Sequence, residues 1–224
     1  MHFIVYFPGY LSQDPLDQLR QARSFLLRDD NPVIMALVWH FLDLIYPGPA
    51  LMLLIHLLLF WVGLGLIAES YLAKGYARAR ALLFLGFLPP IFANMGVVWK
   101  DTGLLASAVF GCALLLKAQD RTRHWWVWWL GAMVALFYAQ AVRHNSAPAL
   151  IPFFVWSAWI LIQPRLKPPA RLASAFVVGL AIFAGAFFAQ RALSRALIKQ
   201  ESLIWMVIPA YDVVGLTVRT GKML

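Results

Sequence analysis

The segment FPGYLSQDPLDQLRQARSFLLRDDNP, residues 7–32, decides how the chain is organised. It is the longest polar stretch ahead of the C-terminal end in a sequence that otherwise reads as membrane. It holds four of the ten acidic residues, Asp14, Asp17, Asp29 and Asp30. After Asp14-Pro15, the residues Leu16, Leu19, Arg23 and Leu26 recur at helical spacing, while Arg20, Gln21 and Arg28 fall elsewhere around the turn. Such a helix lies along a bilayer surface rather than crossing it. The segment reads as one wall of an active site at the membrane surface.

Composition supports a membrane setting. The 224 residues are 62% hydrophobic and 13% charged, with a mean hydropathy of +0.73. A soluble domain of this size lacks the polar surface to cover so much apolar side chain. The net charge of +9 is spread in short basic clusters between apolar runs, which is how membrane topology is encoded rather than how nucleic acid is bound. No nucleic-acid partner is expected. The single cysteine, Cys112, sits inside the apolar run VFGCALLL and supports neither a disulfide nor a thiolate metal site.

Downstream of the polar segment, residues 31–46 are apolar but fall short of the roughly twenty residues a span needs. Trp39, His40 and Asp43 interrupt them, and Pro47-Gly48-Pro49 ends them. Six candidate spans follow, at 50–72, 81–99, 102–116, 125–142, 147–162 and 172–189. Pro89-Pro90 is expected to kink the second span, and Lys117 to lengthen the short third one by snorkelling. The expected class is an all-α polytopic helix bundle in one transmembrane domain. Residues 1–8 read as the remnant of a first span, 9–48 as external juxtamembrane helices, 49–189 as the six spans and 190–224 as an external amphipathic tail. The short apolar start and an end without a terminating feature make the chain read as a fragment.

Loop charges set the sides. Lys74, Arg78 and Arg80, then Lys117, Arg121 and Arg123, then Arg165, Lys167 and Arg171 follow alternate spans, whereas the two intervening loops carry only Lys100 and Arg143. Nine basic residues against two place the basic loops in the cytoplasm. Lys100-Asp101 and Arg143-His144-Asn145 then face outside. If 31–46 is a short surface helix and not a span, Asp14 joins them there.

Several features have structural readings. Trp125, Trp126, Trp128 and Trp129 form an interfacial belt beside Arg121 and Arg123. Ala181, Gly185 and Ala189 form a small-residue stripe suited to close helix packing. His56 makes a hydrogen bond between helices. The five histidines show no metal-ligand spacing and no glycine-rich phosphate loop occurs, so no cofactor is expected, with a divalent cation between Asp14 and Asp101 left open.

The external polar residues admit two readings. Asp14 before Pro15 is the pattern of an N-cap with proline at N1 and Asp17 near N3, and a cap can also be a catalytic carboxylate. Asp101, in VVWKDTG, can cap the next helix. Arg143 and Asn145, in AVRHNSAP, can anchor an interface, yet Arg143 and Lys100 sit on the outer side against the charge trend, as if something anionic held them there. Two carboxylates and two cations at one membrane face suit a defined reaction. A carboxylate can act as general base toward an acceptor hydroxyl, and Arg and Lys can stabilise a phosphate leaving group. A sugar on a lipid phosphate presents that phosphate at this depth.

The order of an acidic external loop, Asp30-Asn31-Pro32 before a short apolar helix, PGPALMLL, a Pro-Pro span ending in Lys100-Asp101, and RHNSAPAL resembles the GT-C superfamily of integral-membrane glycosyltransferases. The nearest resemblance is to bacterial relatives of protein O-mannosyltransferases and lipid A aminoarabinose transferases. It covers nearly the whole chain, through motifs that are individually short. It implies that Asp14 is the catalytic base and that Asp101 is a second acidic site residue, while the external position of Lys100, Arg143 and Asn145 makes them the candidate substrate-binding residues. It further implies a polyprenyl-phosphate-sugar donor, a lipid, glycan or protein acceptor, and a bacterial inner membrane with the active site facing outside. Asn31-Pro32-Val33 stands where the family usually has His-Pro-Pro, and Asp14-Pro15 where it has Asp-Glu. Family members carry more spans and often a C-terminal extracytoplasmic domain. A lipid or polysaccharide transporter, or a noncatalytic membrane subunit, are the rival readings. A transporter calls for mid-span charges, inverted repeats and broken helices in both halves.

Overall fold

The structure, a computed structural model, describes residues 1–143, 145–162, 167–200 and 207–220. Among these residues every regular element is helical, so the chain is all-α. The short apolar start forms α1 (His2–Tyr6), and the polar segment forms α2 (Gln13–Ser24), followed by α3 (Val33–Ile45). The bundle proper comprises α4 (Ala50–Ala73), a 3-10 helix (Ala77–Phe87), α5 (Pro89–Met95), α6 (Lys100–Gln119), α7 (Trp125–Ala141), α8 (Ala147–Leu161) and α9 (Pro168–Leu197), and α10 spans Val207–Thr220.

Among the described residues three helices are long and apolar enough to cross a membrane: α4, α6 and α9. The other expected spans differ, each for a local reason. Residues 81–99 form no single helix, because Pro89 and Pro90 lack the amide hydrogens that would continue one; the chain bends at Leu88 and restarts with proline in the first turn of α5. Helices α7 and α8, at 17 and 15 residues, are shorter than a full crossing. Helix α9 departs the other way and runs to Leu197 instead of ending near 189. Ala-Gln-Arg-Ala-Leu-Ser-Arg-Ala-Leu (189–197) holds no breaker, and Arg195 in the last turn complements the helix dipole. Residues 190–197, expected in a separate tail, therefore belong to this helix.

Ion pairs and side-chain hydrogen bonds mark the two ends. At one end Lys74 pairs with Asp120 (3.4 Å) and Lys117 with Glu69 (3.0 Å), joining α4 to α6. There Arg121 donates to the Ile160 carbonyl and Trp129 to that of Ser157 (3.1 Å), bringing in α7 and α8. The Trp129 indole and the Arg121 stack on Trp125 (5.3 Å) place the tryptophan cluster at this end. The basic-loop residue Arg165 lies outside the described residues. At the opposite end the Val98 amide donates to the Tyr10 carbonyl (3.0 Å), and the Lys199 amide to that of Leu27 (3.0 Å). The chain thus passes between the two ends six times from α4 to α9.

Two buried clusters fill the bundle. One gathers Met52, Leu53, Leu57 and Phe60 of α4 around Trp39 of α3 and Met95 of α5; the other gathers Leu115, Leu136, Leu150 and Phe154. Between α6 and α7 the buried positions are mostly small, including Ala106, Gly111, Ala132 and Ala139. Where lipid competes for apolar contacts, association depends on such close approach. The expected stripe on α9 is corrected here: Ala181, Gly185 and Ala189 are exposed, and the face that meets α8 carries Ala175 and Gly179. A Cβ on Gly179 would lie 2.5 Å from Val155 Cα. His56, fully buried in α4, stands 3.3 Å from Tyr138 Oη of α7, a contact between helices as expected.

Helix α2 lies on α3, but not on the expected face. Its buried residues are Pro15, Gln18, Leu19, Gln21 and Ala22, while Leu16 and Leu26 are exposed. Arg23 reaches across to Asp43 with two bonds (2.9 and 3.0 Å), and Asp43 also accepts the Gly48 amide (2.7 Å). Arg23 and the Gly48 amide hold the Asp43 carboxyl below its ordinary value despite partial burial. A carboxyl depressed in the folded state contributes stability above its unfolded pKa of ~3.9, and that contribution is lost as pH falls through the folded value. Thermal melts from pH 7 to pH 3 should therefore show wild type losing more stability than Asp43→Asn in the acid limb. Parallel curves would contradict this role.

Candidate functional site

The polar ends of α2 and α6 meet. Helix α2 starts after Ser12, whose extended backbone (ψ −173°) makes it the N-cap residue, and Ser12 Oγ accepts the Trp99 indole N–H (2.8 Å). Trp99 in turn is the N-cap residue of α6. One hydrogen bond therefore ties two helix N-termini together, and their positive dipole ends favour anions at this point. Behind it, Tyr10 bridges to Val97. Gly96 admits this crossing because the Tyr6 ring lies against its Cα, where a Cβ would run into the ring.

Asp14 and Asp101 occupy the first turns of α2 and α6. Neither caps its helix through its side chain, so the capping reading of both residues is corrected. Cap geometry is set by the extended backbone of Ser12 and Trp99, one position outside each helix. Asp17 is no capping partner either: it accepts Gln21 Nε2 (2.8 Å) and Arg28 (2.7 Å). The freed carboxylates meet cations. Lys100 Nζ lies 3.1 Å from Asp14, and Arg143 pairs with Asp101 while its Nε donates to Asn145 Oδ1 (2.9 Å). All five expected site residues thus join one polar chain, with Lys100 and Asp101 adjacent in sequence. His144 lies outside the described residues.

Asp14 is 63% exposed and Asp101 52%. Lys100 and Arg143 are less open, at 27% and 32%, yet with both carboxylates reaching solvent each pair contributes on the order of 1 kcal/mol, which a phosphate competing for the cation can offset. An open groove of about 360 Å³, lined by Ser12, Asp14, Gln18, Trp99, Lys100 and Asp101, lies over them. That falls within the ordinary small-molecule range of ~300–1,000 Å³.

Three contributors were not foreseen as site residues. Asn31 accepts Lys100 Nζ (3.0 Å) and so places that cation. A clamp in which Gln21 and Arg28 both bind Asp17 and Asp30 folds the 25–31 loop so that Asn31 arrives there. Gln18 lines the groove at 1% exposure, its amide nitrogen without a partner. Its signal was present in the sequence, since Gln18 stands four residues after Asp14 on one helix face. Asn31 carried none beyond its place before Pro32. Among the described residues no three His, Cys, Asp or Glu side chains gather as metal ligands. No protein-family model, curated protein or solved structure matches the chain.

Proposed function

We propose that the chain is an integral-membrane glycosyltransferase that moves a sugar from a polyprenyl-phosphate donor to an acceptor hydroxyl, with Asp14 as general base. The observation that carries this reading is that Asp14, Lys100 and Asp101 line one groove at the end of the bundle, with Arg143 paired to Asp101 and holding Asn145 beside it. All six passes from α4 to α9 cross the bilayer in this reading, the shorter ones with loop residues completing them. Asp14 takes the acceptor proton as the acceptor oxygen bonds to the anomeric carbon. The bond from that carbon to the phosphate oxygen breaks, and its electron pair leaves with polyprenyl phosphate. Lys100 and Arg143, released from weak pairs, meet the charge that develops on that phosphate. Asp101 holds Arg143 until then. The resemblance to GT-C enzymes supports the same roles for Asp14 and Asp101, and the loop charges support a site outside the cytoplasm of a bacterial inner membrane.

The test joins sidedness to chemistry. In a Cys112→Ser background, an impermeant thiol reagent should label Gln13→Cys and Asn145→Cys from outside intact cells, and Arg123→Cys only after permeabilisation. Membranes carrying the chain should transfer labelled sugar from the donor into an acceptor fraction. Labelling of Gln13→Cys from the cytoplasm alone would break the shared site, and absence of transfer would leave a noncatalytic or transport role.

A further inference from the structure

A second cavity of about 440 Å³ lies against Asn31, walled by the end of α9 and the 29–33 loop, and shares no lining residue with the Asp14 groove. Arg191 and Arg195 line it, one helical turn apart, with Gln190 and Ser194 between and beside them. An adjoining cavity adds Lys199. Among the described lining residues the cations Arg191, Arg195 and Lys199 share this wall with one acidic residue, Asp29. Among the described residues neither arginine pairs with a carboxylate; Arg191 lies over the Phe187 ring (5.6 Å). Like charges one turn apart repel. The helix dipole accounts for Arg195 in the last turn, but not for Arg191.

A second observation comes from deeper in the bundle. Phe187 and Gln190 are shared with a smaller cavity of about 130 Å³ that reaches Gln140. Gln140 is 2% exposed, and both its amide nitrogen and its amide oxygen lack hydrogen-bond partners. A buried amide left so is uncommon in folded proteins, and the cavity beside Gln140 leaves room for a further polar partner.

Depth identifies the source of the ligand. Leu172, Phe176, Val177 and Phe188 are exposed along α9, so this helix faces lipid in the membrane reading. From Leu172 to Arg191 the helix rises about 28 Å at ~1.5 Å per residue, close to the hydrocarbon thickness of about 30 Å. The two guanidiniums therefore stand at headgroup level. The geometry points to a binding site for the phosphate group of an anionic lipid, held by Arg191 and Arg195 and separate from the Asp14 groove. It rests on the membrane reading and not on the transferase reading.

The probe is dioleoyl phosphatidic acid in phosphatidylcholine nanodiscs, with retention on the purified protein read by native mass spectrometry after detergent release. Wild type should retain phosphatidic acid at least tenfold over phosphatidylcholine, and the Arg191→Gln/Arg195→Gln pair should lose that preference. Ser194→Leu, which narrows the cavity and keeps both charges, should lose it too, while Arg123→Gln at the opposite end should not. Retention unchanged in both the double variant and Ser194→Leu, or no preference in wild type, would overturn the site. Inorganic phosphate displacing the lipid at equal concentration would overturn its lipid source.

Discussion

Replacing Asp14 by Asn should lower sugar transfer by ~10²-fold or more and leave the folded chain intact, because the amide keeps the shape of the side chain and loses its ability to accept a proton. The structure sharpens this expectation. Were Asp14 the helix cap, Asn would serve about as well and the substitution would report nothing. The N-cap position belongs to Ser12, so Asp14 has no such duty. Among the described residues its partner is Lys100 at 3.1 Å, and losing an exposed pair costs ~0–1 kcal/mol. Melting temperature and turnover should therefore separate in this variant. Asp17→Asn, one turn on, should behave oppositely: it weakens the clamp to Arg28 and Gln21 and lowers stability more than catalysis. Near-normal turnover in Asp14→Asn would move the search for the base to Asp101.

Gly179→Leu should abolish accumulation of folded protein, whereas Gly185→Leu should be tolerated. At Gly179 the first side-chain carbon already meets backbone, 2.5 Å from Val155 Cα and 2.8 Å from its nitrogen, and backbone cannot rotate aside. Overpacking a tight interface costs ~1–3 kcal/mol even where side chains can yield. Here α8 is the principal partner of α9, so separating them also removes the wall that carries Gln190, Arg191 and Arg195. At Gly185 nothing lies within 4 Å of an added Cβ, and a leucine there meets lipid in the membrane reading. Detergent-solubilised yield and size-exclusion profiles of the two variants measure the difference. Equal yields would show that the α8–α9 contact is not needed.

These two glycines also show what the sequence carries and what it withholds. Gly185 and Gly179 both belong to series of small residues at a spacing of four, and choosing between them requires knowing which face α8 covers. Asp14-Pro15 likewise matches a cap by residue type, but caps are defined by backbone torsion, and the extended residue is Ser12. Signals summed over many residues were more legible. Apolar runs located α4 and α6 closely, and Pro89-Pro90 and Pro47-Gly48-Pro49 fall at breaks between helices. The short apolar run from 31 to 46 became α3, of 13 residues. With it lying beside the bundle, Asp14, Asp101 and Arg143 come to one end. The partners within that site were not legible. That Lys100 would take Asp14 and Asn31, while Arg143 would take Asp101, depends on the crossing of α2 over the start of α6.

The central claim is a chemical step, so the most direct measurement follows its leaving group. Purified protein is placed in liposomes containing polyprenyl-phosphate-linked hexose, hexosamine or aminopentose, supplied with a lipid or peptide acceptor. The polyprenyl phosphate released per protein is then counted over time. The account predicts repeated release with at least one donor, dependent on acceptor and stopped by Asp14→Asn. Release no greater than in protein-free liposomes for every donor, or release that Asp14→Asn leaves unchanged, would contradict it.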